Sequence, residues 1–395
     1  MQYRTDTKSG NKLSIMGFGC MRFTKNRTQI DINKAEQLIV KAVQEGVNYF
    51  DTAYLYGGSE DALGQIFVKN NNLREKIFLA TKLPHGKCRK QEDFDLFFNT
   101  QLERLHTDYI DYYLIHNLGD THTWERLCEL GIEQWIKDKK ASGQIKSVGF
   151  SFHGIHQEFM NLLDAYDWDF CQIQYNYLNT DYQAGTAGLK RAAEKGLPVI
   201  IMEPLLGGKL ATGLPKKAVH LFQSANHTLS PAAWALRWLW NQKEVTVVLS
   251  GMNELSQLEE NIETARDAQS GMFTPKEEKA FDSVINAINE TYKVPCTGCN
   301  YCMPCPHNVN IPACFAAYNM SHTVGFVSGM MQYVTSTGLM SSQKKYTASN
   351  CEECGACEKK CPQNIPIVKS LKKVSKRMEP FWMKPAINLY MKFIR

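Results

Sequence analysis

The sequence predicts an α/β protein: a (β/α)8 barrel of about 250 residues, followed by a smaller, mainly α-helical unit. Three observations predict it. Between residues 12 and 265 short apolar runs alternate with helical patterns. Three of those runs deliver an ionisable residue at their C-terminal end. Beyond residue 295, eight cysteines crowd into two short runs.

The elements follow in order. Lys12 to Gly19 reads as a first strand, and Ile32 to Gly46 as a helix with Ala35, Leu38, Ile39, Ala42 and Val43 at helical spacing, closed by Gly46. Strands are then expected near residues 48, 77, 111, 147, 170, 198 and 245. Between them lie helices at Asp93 to Leu105, Leu127 to Ala141, Ala187 to Lys195 and Pro231 to Asn241. Eight strands, each followed by a helical pattern or its remnant, are what a closed barrel requires, whereas an open sheet has no reason to stop there. Around Ser270 the alternation ends, and a helix from Pro275 to Thr291 leads out. The boundaries predicted are 1–288 for the barrel, 289–370 for the cysteine unit and 371–395 for a basic tail.

Composition narrows the function. The 44% hydrophobic content supports a full core in a chain of 395 residues. The net charge of +5 is unevenly placed: residues 369–395 hold eight Lys/Arg and one Glu, +7, which leaves −2 for everything before. That pattern gives no reason to expect nucleic acid as a partner. The polar start, Met1 to Lys8, lacks an apolar targeting core, and no run reaches the ~18 apolar residues of a membrane span, so no transmembrane segment and a cytoplasmic location are expected.

Phe50-Asp51-Thr52-Ala53-Tyr54-Leu55-Tyr56-Gly57 is the stretch around which the barrel is organised. Asp51 ends one strand and Tyr56 follows in the loop; Lys82 ends Ile77 to Lys82, and His116 ends Ile110 to His116. C-terminal strand ends meet at one mouth of a barrel, so Asp51, Tyr56, Lys82 and His116 are expected to converge. A reaction that builds negative charge on an oxygen needs a proton donor. Tyr56 is the expected donor, with Lys82 lowering its phenol pKa from roughly 10, Asp51 keeping Lys82 charged, and neutral His116 placed to hydrogen-bond and orient the reacting oxygen.

With Gly17-Phe18-Gly19 near the start, these residues resemble the aldo/keto reductase superfamily over roughly residues 12 to 265. The resemblance implies a TIM barrel that passes hydride from NADP(H) or NAD(H) to a small carbonyl substrate. It also implies a cofactor site. Ser151 and Gln172 match positions that grip the nicotinamide carboxamide, with Phe152 where relatives often carry Asn. Met202-Glu203 matches the segment that stacks on the ring. Ser250-Gly251, Gln257, Glu260 and Asn261 resemble the adenosine end. Gly251 and Gln257 replace the cations that hold a 2′-phosphate in many relatives, so little discrimination between NADH and NADPH is expected.

Cys351-x2-Cys354-x2-Cys357-x3-Cys361-Pro362 is the C-x2-C-x2-C-x3-C-P run of bacterial ferredoxins. Its partner is Cys296-x2-Cys299-x2-Cys302-x2-Cys305-Pro306, whose last gap is one residue shorter, with Cys314 as reserve ligand. The pair predicts two [4Fe-4S] clusters, each Cys-Pro turn aiming its thiolate at the other run's cube. A zinc ribbon would need only four of these thiolates. The 45 residues between Cys305 and Cys351 include helix-like Ile311 to Met320 and a Gly/Ser/Met-rich stretch, Thr323 to Gln343, so the unit resembles α-helical dicluster ferredoxin modules. A ferredoxin-like electron donor or acceptor is the implied partner. Two functions compete: a carbonyl-reducing oxidoreductase with electron-transfer clusters, or an electron-transfer or redox-sensing iron–sulfur protein whose barrel only binds nucleotide. Tyr56 and Lys82 favour the first.

Overall fold

A computed structural model describes residues 1–296, 298, 300–339, 344–361 and 364–381. Eight parallel strands close a barrel in strictly sequential order: β1 Met16–Gly19, β2 Tyr49–Asp51, β3 Phe78–Leu83, β4 Ile110–Ile115, β5 Ile145–Phe152, β6 Phe170–Gln174, β7 Val199–Met202 and β8 Val245–Ser250. Closure falls between β8 and β1, where Val248, Leu249 and Ser250 align with Met16, Gly17 and Phe18.

The pleat sorts side chains in and out. Tyr49, Ala80, Tyr112, Leu114, Phe170, Ile200, Val247 and Leu249 form one apolar cluster that plugs the barrel. Their neighbours in sequence, including Phe50, Leu79, Tyr113, Cys171, Ile201 and Val248, belong to the larger core shared with the surrounding helices. Two residues beyond the plug along the same strands stand Asp51, Lys82, His116, Gln172 and Met202. The alternation that fills the barrel therefore also floors its C-terminal mouth with polar groups.

Three expected elements differ. Lys12 to Gly19 is two strands: Lys12–Ser14 pairs antiparallel with Tyr3–Thr5, and only Met16–Gly19 joins the barrel. The hairpin sits at the N-terminal end, where Tyr112 Oη donates to Asp6 Oδ2 at 2.7 Å. Leu127 to Ala141 is broken by Gly131, whose φ of 88° separates helices Thr121–Glu129 and Ile132–Ala141. The stretch from Thr323 contains a helix, Phe326–Ser336, laid on helix Ile311–Thr323. Gly329 makes that approach possible, since a Cβ there would lie 2.5 Å from Ser321 N.

The C-terminal unit has its own core, with Ile311, Phe315, Tyr318, Tyr333, Leu371 and Val374 among its members and Cys296, Cys302, Cys305, Cys351, Cys357 and Cys361 packed around it. It is joined to the barrel at the mouth. Met320 and Val324 pack with Leu206 and Leu210 of the loop after β7, and with Phe281 of helix Pro275–Asn289. The boundary expected at residue 370 falls inside helix Ile367–Met378, which buries Ile367, Ser370, Leu371, Val374 and Met378. These residues are thus part of the folded unit rather than a tail. The remainder of the expected tail, 382–395, lies outside the described residues. No described helix is long and apolar enough to cross a membrane.

Candidate active site and cysteine centre

Lys82 sets the geometry at the barrel mouth. Its ammonium is 1% exposed and has three protons, and each finds an oxygen: Asp51 Oδ1 at 2.6 Å, the Thr52 carbonyl at 2.7 Å and Tyr56 Oη at 3.4 Å. Asp51 is also fully engaged, because its second oxygen accepts from Gln172 Nε2 at 2.9 Å. Behind β3 the Lys82 carbonyl accepts from Gln101 Nε2, which also donates to Glu60, and Thr81 Oγ1 donates to the same carboxylate. The lysine is therefore held from both sides.

Since the phenol oxygen of Tyr56 accepts from Lys82, its own proton is free for a substrate. The His116 ring stands edge-on to Tyr56, with centroids 5.9 Å apart. Burial, followed by the positive Lys82 and by His85 and His153, holds His116 well below the usual imidazole range, so the ring is neutral. Its Nδ1 is buried without a partner among the described residues. Neighbouring His85 is likewise pushed down to about 4, chiefly by burial and then by Arg126. For Lys82, burial pulls the pKa down, but Asp51 and Tyr56 more than offset it, and the ammonium is retained.

Tyr56 departs from the sequence expectation. Burial pushes its phenol up, Lys82 pulls it down by less, and Asp51 pushes it up again, so the net shift is upward. A desolvated phenol beside an already neutralised cation resists ionisation. Tyr56 is consequently fully protonated at neutral pH, the form required of a donor.

The residues expected at the cofactor divide into two groups. Ser151 and Met202 stand at the mouth, Ser151 accepting from the Asn117 N–H at 2.8 Å and Met202 packing on the barrel plug. Gln172, expected on a carboxamide, donates one amide N–H to Asp51 Oδ2 at 2.9 Å. One pleat further, both amide atoms of Gln174 are buried and without partners among the described residues, a feature of β6 that apolar patterning does not reveal. Exposed Glu203 lies 3.8 Å from His153 Nε2. At the far end Asn261 is committed to Ser250 Oγ at 3.0 Å, Gln257 accepts from the Asn253 N–H, and Glu260 is exposed.

Arg22, in the turn after β1, was missed by the sequence. It lies between two glycines distant in the chain: a Cβ on Gly207 would meet its Nη2 at 3.0 Å, and one on Gly251 its Cδ at 3.1 Å. Gly207 and Gly208 have φ of 68° and 92°, a turn open to glycine. A cation cradled by two backbone segments is a fitting site for the phosphates of a nucleotide. Together with Ser151, Gln174 and Met202 it makes the mouth fit a nicotinamide dinucleotide.

The cysteine unit brings its two runs together. Cys302 and Cys305 of the first and Cys351, Cys354 and Cys357 of the second line one cleft with Pro304, Ile311, Val368 and Leu371. Apolar walls with several convergent thiols suit an iron–sulfur cluster. Cys361 is half-buried outside that lining, Cys296 lies near Tyr182 of the loop after β6, and Cys299 is outside the described residues. Cys314, the reserve ligand, is buried in its helix, where its thiol points at the Tyr346 carbonyl and burial pushes its pKa up. Gln183 bridges the units: it pairs with His153 Nδ1 at 3.0 Å and donates to Thr335 Oγ1 at 3.3 Å.

Comparison with known proteins agrees with this division. Residues 15–284 match the Aldo/keto reductase family, and residues 295–365 match the 4Fe-4S dicluster domain. An aldo-keto reductase of Mycolicibacterium vanbaalenii is 28% identical over 248 residues, covering 62% of this chain and 80% of that protein. The methylglyoxal reductase YeaE of Escherichia coli is 27% identical over 260 residues, covering 63% and 84%. Among solved structures, the aldo-keto reductase AKR11C1 of Bacillus halodurans superposes with a TM-score of 0.59 at 23% identity, covering 72% of this chain and 96% of its own. The chain belongs to the aldo/keto reductase family and carries a 4Fe-4S dicluster domain behind its barrel.

Proposed function

We propose that this protein reduces a small aldehyde or ketone with NAD(P)H at the mouth of its barrel, and that the cysteine unit holds two [4Fe-4S] clusters for electron transfer. The observation that carries the first half is the three-way engagement of Lys82 by Asp51, Thr52 and Tyr56. When bound, the nicotinamide supplies hydride to the carbonyl carbon. The protein's part is the oxygen. Neutral His116 offers a hydrogen bond that orients the carbonyl, and Tyr56 gives its proton to the oxygen as negative charge develops. Lys82 steadies the phenolate left behind, and Asp51 and Gln172 keep Lys82 in place. The relatives named for carbonyl substrates support this substrate class.

Tyr56→Phe removes only the proton donor. Turnover of a test aldehyde should fall by about 10²- to 10⁴-fold while nucleotide affinity stays within about twofold. Parent-like turnover would remove Tyr56 from the mechanism.

Arg22 supplies the cation that Gly251 and Gln257 lack, acting on the diphosphate common to both nucleotides. Titration by fluorescence quenching should show NADH and NADPH bound with similar affinity, and Arg22→Leu should weaken both by about tenfold or more. A strong NADPH preference in the parent would place the cation on a 2′-phosphate, and unchanged affinity in the variant would place it elsewhere.

For the clusters, Cys296, Cys299, Cys302 and Cys361 are assigned to one cube, and Cys305, Cys351, Cys354 and Cys357 to the other. Cys305 lines the cleft of the second run, which fits the crossed arrangement; Cys302 lines it too, and is assigned to the first cube as the third thiolate of its own run. Anaerobically prepared protein should contain about eight irons. Cys305→Ala should perturb the paramagnetic signal of the same cube as Cys354→Ala, and Cys361→Ala the other. Four irons plus zinc would refute the assignment, as would Cys305→Ala and Cys361→Ala perturbing the same cube.

A further inference from the structure

Helix Ile367–Met378 presents two unlike faces. Its buried residues, at 367, 370, 371, 374 and 378, pack into the core of the cysteine unit, and Val368 and Leu371 also line the cysteine cleft. The opposite stripe is Lys369, Lys372, Lys373 and Lys376, spaced at i, i+3, i+4 and i+7 and all exposed. Lys359 and Lys360, just before Cys361, are also exposed, and Lys360 lines the cleft. At its rim Cys354 is itself exposed.

The acidic groups of this face are mostly committed. Glu353 pairs with Lys372 at 2.7 Å, Glu358 caps the Val368 N–H at 2.9 Å, and Glu379 accepts from Tyr333, Ser349 Oγ and the Ser349 N–H. Arg377 turns inward to Ser321. Among the described residues from 351 to 379, this leaves Lys359, Lys360, Lys369, Lys373 and Lys376 against a single uncommitted carboxylate, Glu352. A concentration of like charge that no fold contact requires costs self-repulsion, and its physical use is steering an oppositely charged partner.

We propose that this lysine face, bordering the cleft of Cys302, Cys305, Cys351, Cys354 and Cys357, is the docking surface for a small acidic one-electron carrier protein of the ferredoxin class. The inference rests on the cluster assignment above. Its location favours a carrier over an anionic membrane, because the stripe adjoins a cleft at whose rim exposed Cys354 would bring a redox centre to the surface. Each encounter moves one electron from a reduced carrier to one cluster. The carrier is oxidised by one, the cluster reduced by one, and no bond or proton is exchanged.

Stopped-flow mixing of the cluster-loaded protein with a reduced acidic ferredoxin tests this through the visible bleaching of the clusters. The second-order rate constant should fall by about tenfold or more as ionic strength rises from about 0.01 M to about 1 M, which shortens the Debye length from about 30 Å to about 3 Å. At low salt, the triple variant Lys369→Glu/Lys373→Glu/Lys376→Glu should lose a similar factor. Lys190→Glu, an exposed lysine on helix Gly185–Glu194, should not. Bleaching by dithionite and the iron content report on the clusters independently and should be unchanged, so failure of the cluster reading is recognisable on its own. Should the triple reversal lose iron, the glutamine triple and the parent's salt dependence decide. A salt-independent parent rate, or parent-like rates in either iron-replete triple variant, would overturn the proposal. Lysine-dependent sedimentation with phosphatidylglycerol vesicles, without any effect of the lysines on the ferredoxin rate, would equally overturn it.

Discussion

A charged ammonium inside a barrel is the constraint on which the site depends. Lys82 is desolvated almost completely, and a buried unpaired ion costs several kcal/mol. Its environment answers that cost from every direction: one carboxylate, one backbone carbonyl and one phenol take its three protons. The compensation extends outward. Asp51 can serve Lys82 only because Gln172 takes its other oxygen, and Thr52 can offer its carbonyl because its N–H is bonded to Ala80 across the sheet. Relaxing any of these would leave a buried charge short of a partner. The geometry proposed for catalysis is thus the geometry that makes the buried lysine tolerable.

Much of this was legible in the sequence, for a simple reason. A pleated strand that fills a barrel at one position must point the same way two residues later, so Tyr49 implies Asp51, Ala80 implies Lys82 and Leu114 implies His116. Strand number and the convergence of three strand ends follow from the same periodicity. What was not legible depends on tertiary packing. Nothing local brings Arg22 to Gly207 and Gly251, whose chain separations approach 200 residues and exceed it respectively. The Tyr56 phenol was expected to move down because its cation is visible in sequence, whereas the burial that moves it up is not. Helix Phe326–Ser336 was hidden by composition, since Gly329, which lowers helix propensity, is there to admit Ser321.

The docking of the two units places different electron chemistries side by side. Nicotinamide donates a pair as hydride, and an iron–sulfur cluster passes single electrons. The bridge from Thr335 through Gln183 to His153 joins the units. In the function proposed, the barrel carries out hydride transfer and the clusters exchange electrons with an external carrier.

Its central claim is that the hydrogen delivered to the carbonyl carbon comes directly from bound nicotinamide. Single-turnover reduction of an aldehyde by C4-deuterated NAD(P)H, carried out anaerobically in ordinary water with cluster-loaded protein, tests it by mass spectrometry of the alcohol. The account predicts one deuterium on the carbinol carbon whether the clusters begin oxidised or reduced. An alcohol whose new C–H hydrogen derives from solvent, formed as reduced clusters are consumed, would contradict it.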